Sequence, residues 1–374
     1  MFFYGTLCHL PLLAQVLNRP AHSLDPRAAW LPGYASYLVA GESFPMICPD
    51  PDPDARAEGL VLDGLDDGAL ARLDYYEGGY GYGLDAVTVQ TAGGPVRARM
   101  FGAPAQGLTR GAPWRLGAWQ SDWAELTCLA AEEVMQGFPD RPPAQNARRY
   151  PMILARAAAR QRAHAPGPAS LRRATTPGDI EETGRTQPYA NFFAVEEYDF
   201  RHRRFDGSMS APMNRTAFLS GDAATVLPYD PRRDHVLLIE QFRVGPYARG
   251  DSECWSLEVI AGLVDPGERP QETARREALE EAGLTIEALY PIHGYYPSPG
   301  AKAEFIYSYL GLADLPDSAA GLGGLAAEGE DIRAHVVTFD RAMALLDSGE
   351  IQNAPVILSL MWLARHRERL RAAG

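Results

Sequence analysis

The chain has 374 residues and almost no lysine: Lys302 stands alone, and the rest of its positive charge is arginine. With 35 basic against 48 acidic residues, the formal net charge is −13. That balance excludes a broad surface for nucleic acid or anionic membrane, both of which bind through positive charge. Cysteine is scarce too. Cys8, Cys48, Cys128 and Cys254 are scattered without metal-ligand spacing, which excludes a disulfide framework or a cysteine zinc site and suggests reduced thiols in the cytoplasm. No apolar run approaches the roughly 20 residues that span a bilayer. The apolar start, MFFYGTLCHLPLLAQVL, lacks a basic flank and is broken by Tyr4-Gly5-Thr6 and His9, so it does not read as a signal peptide. What is present is ordinary globular material, long enough for two domains with separate cores.

The densest pattern is Ala261 to Leu284, AGLVDPGERPQETARREALEEAGL. Its second half predicts a helix with both ends marked. Pro270 suits the first turn, where a missing N–H costs nothing, and Gly283 suits the left-handed position after the last turn. Ala274, Ala278 and Ala282 recur every four residues as a narrow apolar stripe. Glu277, Glu280 and Glu281 share the adjacent face, where like charges repel by roughly a few tenths of a kcal/mol per pair. A lone acidic cluster is more often a solvated helix face. A cation on this one would remove the repulsion, and Mg2+ is suited because it takes few carboxylates and completes its shell with water and substrate phosphates. Here the ordered string matters more than the cluster. Gly262, Glu268, Arg276, Glu277, Glu280, Glu281 and Gly283 match the Nudix box, G-x5-E-x7-R-E-U-x-E-E-x-G-U, with Ala278 the one soft departure. The chain therefore resembles the Nudix hydrolases.

The flanks sharpen that resemblance. Phe192 to Phe200 alternates like the first strand of an antiparallel meander, and Arg201 to Gly207 suits the next strand and turn. Ala223–Tyr229 and Val236–Phe242 are two more strands, and Trp255–Ala261 leads into the box. Tyr296-Pro297-Ser298-Pro299-Gly300 places Pro299 sixteen positions after Gly283, with Glu304 beyond. From about residue 178 the sequence resembles the ADP-ribose pyrophosphatase branch. The resemblance implies an α/β/α sandwich with N-terminal antiparallel strands, and Mg2+-dependent hydrolysis of ADP-ribose to AMP and ribose 5-phosphate, with Mn2+ as the alternative metal. It implies metal ligands at the Ala261 carbonyl, Glu277, Glu280, Glu281 and Glu330, with Glu281 also counted as catalytic. Gly262, Glu268, Arg276 and Gly283 take supporting roles, Arg276 pairing with Glu268. Arg215 and Arg243 would grip phosphate or ribose, with Ser298, Pro299 and Gly300 at the substrate. Phe192 would stack on adenine across a homodimer formed through the N-terminal strands, although strand aromatics are usually core. In the acidic loop Ala326–Ile332 the base is assigned to Glu328, and Asp331 is eligible for either acidic part. Two alternatives stand beside this reading: another nucleoside-diphosphate sugar as substrate, or a non-catalytic ADP-ribose sensor.

In the first third, Phe2 to Leu7 reads as a short buried strand entering a glycine turn, followed by a helix from Pro11 to Leu17. Phe44-Pro45-Met46 and Ala57–Leu62 read as strands. A helix carries Leu70, Leu73 and Asp74 into Tyr76-Glu77-Gly78, and a hairpin turns at Gly93-Gly94. The set YGTL, FPMI, AEGLVL and LDYYEG resembles the γ-glutamylcyclotransferase-like (AIG2-like) family over about residues 1 to 105. That implies a small β-barrel around a cavity, with substrate held at Tyr4, Gly5, Thr6 and Leu7 and Glu77 as the acid–base. Glu77 reads equally well as a surface residue before a turn. The run from Gly78 to Gly83 departs from the usual spacing.

Between these parts, Trp114, Leu116, Trp119, Trp123, Leu126 and Leu129 predict an amphipathic helix whose tryptophans are core or inter-domain contacts. A second helix is predicted from Pro151 to Arg162, with Gly137–Pro143 as breaker and Ala165–Ala169 as linker. The expected organisation is α+β: a γ-glutamylcyclotransferase-like barrel at 1–112, a helical connector at 113–175 and the Nudix sandwich at 176–374. Fusions of this kind resemble a group named for tellurite resistance, though no residue connects to that chemistry.

Overall fold

The alternating segments of the first hundred residues do assemble into sheets. A computed structural model describes residues 1–102, 107–325 and 329–373, and the chain divides into two compact units, Met1–Arg215 and Thr216–Gly374. The first unit opens with β1 (Phe2–Phe3), α1 (Leu10–Leu17), β2 (Arg27–Pro32), β3 (Tyr34–Val39), β4 (Pro45–Pro49) and β5 (Arg56–Val61). It continues with α2 (Asp67–Glu77), β6 (Gly83–Thr91), β7 (Gly94–Gly102) and β8 (Arg110–Pro113). Five strands pair in the order β1-β5-β2-β6-β7 and three more as β4-β3-β8. Edge strand β1 returns beside β7, giving a nearly closed barrel-like sheet. Its inward residues Phe2, Leu31, Val61, Val89 and Met100 form one core. Asp66 caps α2 by accepting the Ala69 N–H at 2.7 Å, as its place before the helix favours.

Two long helices follow, α3 (Leu116–Gln136) and α4 (Pro143–Ala163). Trp119 and Leu126 of α3 are buried with Ile153 and Ala157 of α4 and with Leu12, Leu13 and Leu73, so the tryptophan helix is core as expected. The start of α4 is not as expected. It begins at Pro143, and Pro151 lies inside it. A proline there removes one ladder hydrogen bond, but tertiary contacts hold the preceding turns. Buried Glu133 of α3 accepts from Arg149 at 3.0 Å and from Arg156 at 2.7 and 2.9 Å. Arg149 also donates to Gln187 at 3.2 Å, and Arg156 to the Phe192 carbonyl at 2.9 Å.

The first strand after the linker is β9 (Ile180–Ala190), followed by β10 (Ala194–His202) in an antiparallel pair. The sequence reading began the meander at Phe192, whereas it begins with residues 180–190, IEETGRTQPYA, which show no apolar alternation and whose side chains are exposed or half-buried. Phe192 therefore sits in the turn between these strands rather than within one, and β10 runs through Arg201 and His202. β11 (Met213–Leu219) spans the division between the units.

The second unit contains β12 (Ala223–Asp230), β13 (His235–Phe242), α5 (Val244–Arg249), β14 (Trp255–Glu258), β15 (Ile260–Leu263) and α6 (Pro270–Ala282). Then come β16 (Ala288–Tyr295), β17 (Lys302–Ala303), β18 (Ile306–Leu312), β19 (Gly321–Gly323), β20 (Ile332–Thr338), α7 (Phe339–Asp347) and α8 (Ala354–Ala373). The mixed sheet runs β16-β18-β12-β13-β20-β19. Where β12 leaves β13, its first half pairs with β15, Thr225 opposite Ala261, which carries the box onto the sheet. On one face the alanine stripe works as the spacing predicted: Ala274 and Ala278 are buried against Ala224, Val226, Leu237 and Ile260. On the other, Phe339, Ala342, Val356, Leu360 and Leu363 of α7 and α8 cover Leu227, Leu238 and Leu310. The result is an α/β/α sandwich.

Candidate active sites in the two units

In the second unit the helix α6 is held at both ends. Pro270 fills its first position, Glu272 reaches back to accept the Arg269 N–H at 2.9 Å, and Gly283 adopts φ 64° after its last turn. β15 then lies so close to α6 that a side chain at Gly262 would collide with the Glu277 carboxylate in its present position. A Cβ there would meet Glu277 Oε1 at 1.7 Å. Arg276 is the hub of the loop–helix junction. It donates to both Glu268 oxygens at 3.2 Å, to the Leu263 carbonyl at 3.3 Å, and to Glu277 and Glu280 at 2.8 Å each. Glu268 is further fixed by the Thr273 hydroxyl at 2.7 Å.

Glu281 is different. Only 2% of it is exposed, and its Oε2 has no hydrogen-bond partner. Burial, with Glu277 and Glu330 adding to it, pushes its carboxyl up to about 9, against a backbone hydrogen bond at Ala261 and the Arg243 charge. Burial also raises Glu277 to about 7, with Arg276 opposing. The carboxylates expected to hold clustered Mg2+ ions are Glu277, Glu280, Glu281 and Glu330. Arg276 is the cation that Glu277 and Glu280 meet, and Glu330 folds back to accept the Leu325 N–H at 3.0 Å. Among the described residues no group of three His, Cys, Asp or Glu side chains is set to hold a metal. The donor chemistry nevertheless fits a hard divalent cation: oxygen ligands only, one buried carboxylate oxygen without a partner, and two acids, Glu277 and Glu281, that burial raises above the usual carboxylate range.

In the first unit, a cavity of about 80 Å³ is bounded by the Tyr4–Leu7 turn, Pro45, Glu77, Tyr80, Tyr82 and Tyr150. The two motifs some seventy residues apart in sequence thus face one space. Glu77 closes α2, and although its surface meets the cavity it is enclosed by protein, so burial raises its carboxyl to about 7. Burial also raises Tyr76, Tyr80, Tyr82 and Tyr150, with Glu77 adding to it at all four and neighbouring phenols at Tyr76 and Tyr80, so these hydroxyls stay protonated. The arrangement can hold or move a proton at the Glu77 carboxyl near neutral pH.

Comparison with known proteins agrees with both geometries. The family model described as "NUDIX domain" matches residues 219–360, and "Gamma-glutamyl cyclotransferase, AIG2-like" matches residues 1–121. An ADP-ribose pyrophosphatase of Escherichia coli (strain K12) is 42% identical over 193 residues, which is 52% of this chain and 91% of that protein. The chain belongs to the Nudix family. A GDP-mannose pyrophosphatase of Escherichia coli O1:K1 / APEC is 31% identical over 173 residues, 46% of this chain and 88% of that protein. The crystal structure of an ADP compounds hydrolase superposes with a TM-score of 0.41 at 22% identity, over 54% of this chain and 99% of that one.

Other expected residues of this Nudix protein lie as follows. Arg243 forks onto buried Glu258 at 2.9 and 2.7 Å. Ser298, Pro299 and Gly300 form an exposed turn in which the Ser298 carbonyl accepts the Ala301 and Lys302 N–H groups at 3.2 and 2.9 Å. Among the described residues this turn shares no hydrogen bond or ion pair with the α6 carboxylates. Arg215 is exposed and donates to the Asn214 carbonyl at 2.7 Å. Phe192 is 54% exposed, edge-on to Phe193 at 4.8 Å, so it is not core. Asp331 is exposed, and Glu328 lies outside the described residues. Two contributors escaped the sequence reading. Glu258 anchors Arg243, and its only signal is a lone acid in the apolar strand WSLEVIAG. Tyr150 reaches the cavity from α4, and it was hidden because Pro151 read as the start of that helix.

Proposed function

We propose that the second unit hydrolyses ADP-ribose to AMP and ribose 5-phosphate with Mg2+. The observation that carries the chemistry is Glu281, a buried carboxylate with an unpartnered oxygen on the box face of α6. The choice of substrate is supported by the ADP-ribose pyrophosphatase relatives. Glu277, Glu280 and Glu281 with the Ala261 carbonyl would hold the metal, and Glu330 would add a contact. When bound, such ions lower the pKa of water and neutralise phosphoryl charge. Arg276 keeps the loop and helix in register through Glu268, and Gly262 leaves the space that the Glu277 carboxylate occupies. Glu328 is assigned the proton of the attacking water. Arg215, Arg243 and the Ser298–Gly300 turn are assigned to the diphosphate and ribose. Phe192, exposed on its turn, is assigned to adenine within a homodimer formed through the N-terminal strands. The organisation 1–112, 113–175 and 176–374 goes with this reading.

Initial rates with ADP-ribose and GDP-mannose, in chelator, Mg2+ and Mn2+, test the proposal. Metal-dependent turnover with at least about tenfold higher kcat/KM for ADP-ribose is expected, a margin of about 1.4 kcal/mol. Preference for GDP-mannose would move the substrate. Tight binding of ADP-ribose without turnover would leave a sensor.

A second reading, for the first unit, is favoured by the meeting of Glu77 with the Tyr4–Leu7 turn. There a γ-glutamyl amine would cyclise. Its α-amine nitrogen attacks the γ-carbonyl carbon, the amide C–N bond breaks, and Glu77 passes the proton from the attacking to the leaving nitrogen. The products are a lactam and a free amine. A docking or regulatory module is the alternative.

A further inference from the structure

We propose that α4 completes the cavity of the first unit, with Tyr150 as a ligand-contacting residue. This rests on the reading of that cavity as a ligand site. Tyr150 lies beyond residue 121, where the match to the cyclotransferase-like family ends, yet its ring lines the same space as Glu77. It packs edge-on against Tyr80 at 5.5 Å, and Tyr80 in turn lies 6.5 Å from Phe44 across the cavity wall.

The loop after Glu77 is shaped to receive α4. A Cβ at Gly79 would stand 2.4 Å from the Pro143 carbonyl oxygen at the start of the helix, so only glycine allows this approach. The unusual run of glycines after Glu77 thereby acquires a cause. The helix is also rotationally fixed. Arg149, next to Tyr150, and Arg156 are both buried on Glu133, and removing Glu133 would strand two buried charges. Tyr150 is held by a rigid scaffold, as a contact residue must be.

The polar heads in the cavity are unused. The Glu77 carboxyl and the hydroxyls of Tyr76, Tyr80, Tyr82 and Tyr150 make no hydrogen bond to one another or to any other described residue. They line the open space of the cavity, so this set has capacity for water or a ligand. Its inventory is one carboxyl acceptor and several phenols that both donate and accept. No Arg, Lys or His is among the described residues lining the cavity. A ligand N–H meets the Glu77 carboxyl there, and the Tyr150 hydroxyl can donate to or accept from a neighbouring polar atom of the ligand.

The test uses the full chain and ligand-observed NMR titration with ethylammonium chloride and γ-glutamylethylamide. At least one nitrogen probe should bind. Tyr150→Phe, which keeps the ring, should weaken that probe about fivefold, the scale of one hydrogen bond, and Tyr150→Ala more. Thermal unfolding of Tyr150→Phe should match the parent, which separates contact from folding. If neither nitrogen probe binds the parent, the ligand-site reading and this inference both fall. If a probe binds and responds to Glu77→Gln but not to either Tyr150 variant, only the role of α4 is overturned.

Discussion

Glu281→Gln should raise stability and abolish activity together, because the same feature, a buried carboxylate without a partner, is a burden to the fold and a tool for the site. The acid keeps its proton in the folded chain up to about pH 9, against an ordinary value of 4.5 for a glutamate. Its folded pKa is raised, so the native state binds more protons than the unfolded one between these values. Stability is then fully present below about pH 4.5 and falls as pH rises towards about 9. At about 1.4 kcal/mol per pH unit, the penalty reached by about pH 7 is on the order of 3 kcal/mol. Glutamine is neutral throughout and lacks this slope. In chelator, the variant should exceed the parent by roughly 1–3 kcal/mol near neutrality, with the gap closing near about pH 4.5 and widening towards about pH 9. Denaturant titrations at three pH values, following the transition of the second unit, measure the gap. Hydrolysis of ADP-ribose should meanwhile fall at least about a hundredfold, as for a lost transition-state charge contact. Near-normal turnover in saturating Mg2+, or a stability gap that does not change with pH, would refute the reasoning.

Gly262→Ala should displace the Glu277 carboxylate from its place on Arg276, since the new Cβ would lie 1.7 Å from Oε1. Because a flexible side chain can give way, stability should change by less than about 2 kcal/mol, while the Mg2+ concentration for half-maximal rate rises at least about tenfold, a loss of about 1.4 kcal/mol. A metal titration of rates checks this. Phe192→Ala removes a ring that is 54% exposed, so melting should be unchanged. ADP-ribose affinity, by calorimetry, should weaken by roughly 1–3 kcal/mol if the ring stacks on adenine. Unchanged affinity would release Phe192 from the site.

Local chemistry was enough to determine α6. Its proline start, glycine end, alanine stripe and pairing of Arg276 with Glu268 depend on neighbours within about two turns or one loop, and such short-range preferences are legible in order along the chain. The same holds for the turn at Gly5 and the end of α2 at Glu77. Tertiary structure decided what those pieces face. Whether the Glu277 and Glu280 carboxylates lie on a metal or on Arg276 depends on side-chain torsions that no spacing encodes. The polar strand Ile180–Ala190 carries no apolar period because neither face is buried, so only its pairing with β10 defines it, and that pairing moves Phe192 into a turn. The start of α4 is the clearest case. Pro151 reads as a boundary because it lacks an N–H, but burial of Arg149 and Arg156 on Glu133 outweighs that local preference. The extra turns bring Tyr150 to the cavity.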